Sequence, residues 1–217
     1  MSEVNRKRII IADDQPIVSL GLKLLLEQTS DLCICDQASE PEELFEKLDE
    51  QSFDIVILEL FLPGKDSLDV LTEIKKRDKN LPVVIYTSCS DEQLTIRFVK
   101  NGASAFISKR SDPDELVEVL RKVLSGKKYF TLHQMERMAE MFTKPEETGT
   151  ESVELLTDRE FQVMYMMALG LNRVSIAKNL SVSKNTISNH RYNILKKMHW
   201  SSNAELVRYA LNHGINR

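Results

Sequence analysis

The sequence predicts an α/β domain followed by a small all-α domain, and three observations support this division. Short apolar runs alternate with amphipathic stretches through residues 1–127, the pattern of parallel strands joined by helices. Residues 155–217 contain stretches of helical period and no further strand pattern. The charge also changes, because residues 155–217 carry nine basic and three acidic residues, a net charge of +6, whereas residues 1–154 carry a net charge of −10.

Five strands and five helices alternate in the first domain. This order predicts a doubly wound, five-stranded parallel sheet with helices on both faces. The expected strands span Arg8–Ala12, Leu32–Asp36, Asp54–Glu59, Val83–Thr87 and Ala105–Ser108. The expected helices span residues 16–28, 40–50, 66–77, 91–101 and 112–125. Sheets of this kind bind ligands at the carboxyl ends of their strands, where the strand order reverses.

Capping residues mark several of these helix ends. Ser39, Ser90 and Ser111 each precede an acidic first turn, so we expect them to be N-caps. Gly102 follows the fourth helix, where a glycine commonly ends a helix as its C-cap.

The segment between the two domains has a different composition. Residues 128–143 predict one more helix, and residues 144–152 (KPEETGTES) predict a flexible linker, since they offer nothing to bury. We therefore expect a first domain at residues 1–127, a linker helix and flexible linker at 128–154, and a second domain at 155–217.

The composition favours a soluble, cytoplasmic protein. Hydrophobic residues make up 42% and charged residues 29% of the chain, and no apolar run is long enough to span a membrane. The N-terminal segment lacks the long apolar stretch of a secretory signal. The three cysteines, Cys33, Cys35 and Cys89, have no metal-binding spacing, and we expect them to be ordinary buried thiols.

Charged and hydroxyl side chains lie at the carboxyl ends of four expected strands. Asp13 and Asp14 follow the first strand, Glu59 ends the third, Thr87 ends the fourth and Lys109 follows the fifth. In a doubly wound sheet these positions converge. Three carboxylates at one edge need a cation, and the candidates are the Lys109 ammonium and a bound Mg²⁺.

Four segments resemble the receiver domain of bacterial response regulators, in the correct order over about residues 7–125. They are IIIADDQPIVSLGLKLLL, DIVILELFLPG, VVIYTSCSDEQ and NGASAFISK. The resemblance implies a flavodoxin-like fold in which an aspartate pair and a strand-three aspartate hold Mg²⁺, and the strand-three aspartate accepts a phosphoryl group. It makes Asp14 the direct metal ligand, Asp13 its water-mediated neighbour, Thr87 the switch hydroxyl, Phe106 the aromatic switch and Lys109 the phosphate-contacting cation.

The residue at the expected acceptor position is Glu59, which departs from the family pattern. Its extra methylene moves the carboxylate by about 1.5 Å, one C–C bond. A misplacement of ~1 Å in a reacting group can slow a reaction on the order of a hundredfold.

Three interpretations of Glu59 follow. It abolishes phosphoryl acceptance and leaves the domain permanently active or otherwise regulated, it is only a structural partner of Lys109 in a domain that no longer switches, or phosphoryl transfer persists there or elsewhere. A glutamate introduced by design as a mimic would give the same sequence.

The second domain has the pattern of a helix–turn–helix. Ser181 and Val182 form the expected turn, and Ser183 is the expected N-cap of the following helix. The expected helices span Asp158–Leu169, Arg173–Leu180, Lys184–Met198 and Asn203–Asn212.

The third of these helices has two contrasting faces. Its apolar face, expected to enter the core, consists of Ile187, Ile194, Leu195 and Met198. A helix of this kind reads bases in a DNA major groove, and Asn189 has the amide that pairs with adenine. Its cations are expected to meet phosphates. The candidate DNA-binding residues are Lys184, Asn185, Thr186, Ser188, Asn189, Arg191, Tyr192, Lys196 and Lys197. The alternative is an ordinary solvated helix face.

Residues 155–215 resemble the LuxR-type helix–turn–helix domain, with landmarks that include Leu156-Thr157, Ile176-Ala177, Val182-Ser183 and Ile194-Leu195. Three positions that are often lysine in that family are Val174, Ser188 and Tyr192 here. The resemblance implies a dimer through the last helix. The apolar residues of that helix are Leu206, Val207, Ala210 and Leu211, and those not needed to pack on the domain are the candidates for the dimer contact. The alternative is that all four lie in the core.

A receiver followed by a LuxR-type domain is the arrangement of the NarL/FixJ group of response regulators. We therefore expect a non-enzymatic transcriptional regulator that binds double-stranded DNA as a homodimer, requires no cofactor, and has a phosphorylation-independent receiver. Its expected protein partners are another regulator or a histidine kinase, and we expect no association with a membrane. The alternative is a signalling adaptor that acts by protein–protein interaction with little specific DNA binding of its own.

Overall fold

The computed structural model describes residues 6–65, 67–88, 92–143, 155–180 and 182–212. Leaving aside residues 89–92, the chain divides into two compact units, the first ending at Met135 and the second beginning at Glu136.

The first unit is built around a five-stranded parallel sheet with the strand order β2-β1-β3-β4-β5. This confirms the predicted α/β fold. The strand β3 lies in the middle of the sheet, and each of its four residues is buried. The strands are β1 (Lys7–Ala12), β2 (Leu32–Ala38), β3 (Ile55–Leu58), β4 (Val83–Thr87) and β5 (Ala105–Ser108).

Four helices connect consecutive strands, a fifth follows β5, and a sixth comes after that. Apolar strand residues such as Ile9, Ile11 and Ile57 pack with Leu116 and Leu120 of the fifth helix. This packing holds the strands in place and so positions the residues that follow their carboxyl ends. The helices are α1 (Pro16–Glu27), α2 (Pro41–Glu50), α3 (Ser67–Arg77), α4 (Glu92–Lys100), α5 (Pro113–Leu124) and α6 (Leu132–Thr143).

Two of the predicted N-caps are wrong by one residue. The N-caps are Glu40 for α2 and Asp112 for α5, because a proline occupies the first helical position that follows each of them. Ser39 instead donates its amide and hydroxyl to Glu43, at 2.7 and 3.1 Å. Ser111 is not a cap, since the Asp112 side chain accepts from the amide at the start of α5. Ser90 lies outside the described residues.

The prediction of buried cysteines is wrong for β2. Cys33 is half-buried and Cys35 is exposed, because β2 is an edge strand and this side of it faces outward. The third cysteine, Cys89, lies outside the described residues.

After α6, the described part of the second unit contains four helices, which confirms the predicted all-α domain to within one residue at each end. The buried side chains Phe161, Ile176, Ile187, Ile194 and Met198 form its interior. The helices are α7 (Asp158–Ala168), α8 (Arg173–Asn179), α9 (Lys184–Lys197) and α10 (Asn203–Asn212). Across the described residues, no helix combines the length and the apolarity that a membrane crossing would need.

Candidate functional site

The predicted acidic cluster is present at the carboxyl edge of the sheet. Asp13 follows β1, Glu59 follows β3 and Lys109 follows β5, so three strand ends bring these side chains together. The Lys109 ammonium lies 2.6 Å from Asp13 Oδ2 and 2.5 Å from Glu59 Oε2. We call this arrangement the acidic pocket.

All three charged groups of the acidic pocket are shielded from solvent. Asp13 and Glu59 are 4% and 3% exposed. Burial raises the pKa of Asp13, although its contacts with Lys109 and the Gln15 amide act in the opposite direction. Burial alone would lower the pKa of Lys109, but the carboxylates of Asp13 and Glu59 outweigh it and raise that pKa. The lysine is therefore held in its charged form.

The second oxygen of Glu59 is held by the backbone that follows it. The amide of Leu60 donates to Glu59 Oε1 at 2.6 Å, and the amide of Phe61 lies 3.4 Å from the same atom. The hydroxyl of Ser67 donates to the Glu59 carbonyl at 3.1 Å. The sequence does not reveal these contacts, because they depend on how the chain turns after β3.

The other predicted pocket residues differ in their burial. Asp14 is exposed to solvent, whereas Thr87 at the end of β4 is fully buried. Phe106 of β5 is 3% exposed and packs edge-on against Phe98, with ring centroids 6.4 Å apart. Asp14 thus differs from the buried carboxylates Asp13 and Glu59 in being open to solvent.

A second candidate site is the surface of α9. Ser183 is its N-cap, as predicted, and its hydroxyl accepts from the Thr186 amide at 3.0 Å. Tyr192 is 65% exposed, and Thr186 and Ser188 are partly exposed. The exposed polar residues of this helix are Lys184, Asn185, Asn189, Tyr192, Asn193 and Lys196.

Three of the predicted DNA-binding side chains have partners on other helices of the second unit. Lys197 Nζ lies 2.6 Å from Oε2 of the buried Glu160. The guanidinium of Arg191 donates to Asn203 Oδ1 at 2.7 Å. Ser188 Oγ accepts from Arg173 at 3.1 Å. The carboxylate of Glu160 was missed in the sequence, because nothing in its spacing connects α7 to the end of α9.

The apolar residues of this unit correct two expectations. Leu206 and Ala210 are 1% and 0% exposed, so they belong to the interior of the unit and are not available as a dimer surface. Val207 and Leu211, at 36% and 60% exposed, face outward. Leu195, expected in the core of α9, is only half-buried.

Comparison with known proteins identifies both parts of the chain. Residues 9–121 match the model of the response regulator receiver domain. The chain belongs to the response regulator family. Residues 154–210 of this response regulator match the model of the bacterial regulatory proteins of the luxR family. The two matches in this order place it in the NarL/FixJ group.

The relatives of this response regulator match it along nearly its whole length. The Fimbriae Z protein of Salmonella typhimurium is 30% identical over 207 residues, covering 95% of this chain and 97% of that protein. The response regulator UvrY of Escherichia coli is 26% identical over 207 residues, covering 95% and 94%. The structure of the RcsB response regulator of Salmonella typhimurium superposes with a TM-score of 0.74 at 22% identity, covering 96% and 98%. This last likeness supports the fold.

The acidic pocket of this response regulator does not fit Mg²⁺ as its side chains are placed. Asp13 uses one oxygen for Lys109 and the other for the Gln15 amide, at 2.9 Å. Both oxygens of Glu59 are also in use. Within the described ranges, no three His, Cys, Asp or Glu side chains are grouped to hold a metal ion.

Proposed function

We propose that this response regulator is a sequence-specific DNA-binding transcriptional regulator whose receiver is set by Glu59 rather than by phosphorylation. The observation that carries the proposal is the buried ion pair between Glu59 and Lys109, supplemented by the amide of Leu60. DNA binding is supported by the match of residues 154–210 to the luxR family.

In this proposal, Glu59 stands where the receivers of the family have their phosphoryl-accepting aspartate. A carboxylate that attacks phosphorus needs an oxygen free to approach the donor in line. Oε2 of Glu59 is in contact with Lys109, and Oε1 accepts from Leu60. The longer side chain directs both oxygens onto the donors that surround it and so leaves neither free to react.

The same contacts give Glu59 a role that a phosphoryl group would otherwise have. Its carboxylate places negative charge against the Lys109 ammonium and the amides of Leu60 and Phe61. A phosphoryl group carries more charge and more acceptor oxygens. The Glu59 carboxylate is therefore a weaker but permanent substitute for the phosphoryl group. It favours the receiver conformation in which its contacts with Lys109 and the amides are better formed.

The phosphorylation part is tested by incubating the full chain with Mg²⁺ and acetyl phosphate and measuring its intact mass. No gain of a phosphoryl group is expected. Glu59→Asp is the matched control, since it restores the shorter carboxylate, and a gain in that variant shows that the donor and the metal were active. A stoichiometric, acid-stable and base-labile gain in the wild type would refute this part of the proposal.

The DNA-binding part rests on the exposed face of α9. Asn189 and Asn185 present amides for base edges, and Lys184 and Lys196 present cations for phosphates. We infer that the chain acts on DNA as a homodimer, with the half-sites about one DNA turn apart. We assign the contact between the two copies of the homodimer to Val207 and Leu211 of α10, whose side chains face outward.

Genome-wide mapping of DNA bound by the full chain tests this part. Discrete sites that are lost in Asn189→Ala are expected, with a common motif that shows two-fold symmetry. Glu136→Ala, a change on the linker helix α6, is the matched control and should leave the sites unchanged. If the wild type bound no discrete DNA sites and instead bound another regulator, the alternative of a signalling adaptor would be favoured.

A further inference from the structure

Cys33 and Cys35 form a close pair of thiols on the edge strand β2. Their sulfur atoms are 3.1 Å apart. They are two residues apart on one strand, so both side chains project from the same side of the sheet. Neither thiol belongs to the acidic pocket or to the surface of α9.

A β-bulge lies at this pair. Ile9 of β1 pairs with Ile34 of β2, but the next residue, Ile10, pairs with Asp36. Cys35 is therefore the extra residue of the bulge, which bends a strand locally and leaves one residue out of the ladder. The backbone at Cys35 can adjust without breaking a regular pair of strand hydrogen bonds.

The spacing is compatible with a covalent bond. Residues two apart on a regular strand have Cα atoms about 6.4–6.8 Å apart, which is at the upper limit of about 6.8 Å for disulfides. Their Cβ atoms must also come within about 3.5–4.5 Å, and the local bend of the bulge at Cys35 is what allows this approach. The sulfurs must approach from 3.1 Å to a bonded distance of about 2.05 Å, a change on the order of 1 Å.

We propose that Cys33 and Cys35 are an oxidant-sensitive modification site, which takes peroxides and closes to a disulfide within β2. The exposed Cys35 reacts first. Its thiolate attacks one oxygen of hydrogen peroxide, the O–O bond breaks, hydroxide leaves, and Cys35 becomes a sulfenic acid. The sulfur of Cys33 then bonds to the Cys35 sulfur, and the sulfenic hydroxyl leaves as water with the proton of Cys33.

The overall step is balanced. The two thiols together lose two electrons and two protons, and one hydrogen peroxide molecule becomes two water molecules. The order of attack follows from the environment of the thiols. Burial, and then the contact with Cys35, raise the pKa of Cys33 to about 11. Cys33 therefore remains a thiol at neutral pH, which leaves the first attack on peroxide to the exposed Cys35.

The experiment uses the full chain, fully reduced and then treated with one equivalent of hydrogen peroxide. Free thiols are blocked with iodoacetamide, and the protein is digested without reduction. The expected product is a peptide with both Cys33 and Cys35 unalkylated and a mass lower by two hydrogens. Cys89 should be alkylated, and dithiothreitol should restore both thiols.

Single variants separate the pair from its individual members. Cys33→Ser should stop at the sulfenic acid of Cys35, which dimedone traps in an amount that the wild type does not reach. Cys35→Ser should lose the disulfide and give little trapped product. Cys89→Ser, the matched control, should form the disulfide as the wild type does.

Three results would overturn the proposal. They are full alkylation of both thiols after peroxide treatment, a disulfide that includes Cys89, and a disulfide between two copies of the chain. If a serine variant fails to fold, the wild type and Cys89→Ser still decide between these outcomes and the internal disulfide.

Discussion

Lys109 and Glu59 form a buried ion pair, with Nζ and Oε2 2.5 Å apart and side chains 8% and 4% exposed. Asp13 shares the same ammonium. One cation therefore serves two carboxylates in a place that water hardly enters. Such a group is stable only while it is complete, since removing one partner leaves the others buried and uncompensated.

Lys109→Met should destabilise the first unit strongly. The change leaves the carboxylates of Asp13 and Glu59 facing each other without a cation, and the loss of a partner from a buried pair costs on the order of 3–5 kcal/mol. Urea unfolding of the full chain, followed by far-UV circular dichroism, measures it. Trp200, the only tryptophan in the sequence, reports the second unit separately through its fluorescence.

Lys7→Met is the matched control for this measurement. Lys7 pairs with Asp54 at 2.9 Å, but the two side chains are 53% and 32% exposed. A pair in solvent contributes about 0–1 kcal/mol. If both variants lost the same small amount of stability, the buried pair would not be the element that maintains the pocket.

Glu59→Gln should weaken promoter binding while preserving the fold of the second unit. Glutamine keeps the length of the side chain and an oxygen for the Leu60 amide, but removes the negative charge that faces Lys109. If that charge supplies the bias of the receiver, the population of the binding-competent state falls, and apparent affinity falls with it. Titration of a mapped promoter fragment with each protein measures the change.

Two comparison variants complete this test. Glu59→Ala removes the charge and the acceptor together, so it should weaken binding at least as much as Glu59→Gln. Equal affinity of the wild type and both variants would show that the receiver is uncoupled from DNA binding, with Glu59 only a structural partner of Lys109.

The strand ends of the first unit could be predicted from the sequence, because buried strands appear there as short apolar runs. Each strand is a short apolar run, and the residues that follow β1, β3 and β5 are charged. Parallel strands place such residues at one edge, so the closeness of Asp13, Glu59 and Lys109 followed from topology.

Contacts that depend on the path of a loop or on distant helices were not predictable. The amides that bind Glu59 belong to the turn after β3, and Glu160 meets Lys197 across 37 positions of sequence. The exposure of Cys35 depends on the edge position of β2, which arises from pairing between strands and has no signature in the segment LCIC. The burial of Leu206 could not be predicted either, because an apolar stripe on α10 does not show which of its residues enter the core.

Lys196 and Lys197 should contribute differently to DNA affinity, although they are neighbours in sequence. Lys196 is exposed, whereas the charge of Lys197 is neutralised by Glu160. Each phosphate contact contributes about −0.9 to the slope of log affinity against log salt. Lys196→Ala should therefore make the slope shallower by about one contact. Lys197→Ala should leave the slope unchanged and lower the stability of the second unit. Equal slopes in the two variants would contradict this assignment.

Glu160 should make the second unit sensitive to acid. Burial would raise the pKa of Glu160, but the contacts with Lys197 and the Thr157 amide outweigh it and hold that pKa below 4.5. The unfolded chain therefore binds a proton more readily than the folded unit does. The stabilisation is fully present above pH 4.5 and is lost as the pH falls through the lower pKa of the folded state.

Two variants test the origin of this acid sensitivity. Glu160→Gln removes the titrating group, and Lys197→Met removes the cation that lowers its pKa. Both should flatten the dependence of unfolding free energy on pH below 4.5, measured by Trp200 fluorescence in urea. Trp200 is buried and 5.2 Å from the ring of Tyr209, so its emission responds when this unit opens. Because Lys197→Met keeps the carboxylate, it distinguishes the ion pair from Glu160 itself, and an unchanged acid slope in this variant would assign the lowered pKa to the Thr157 amide alone.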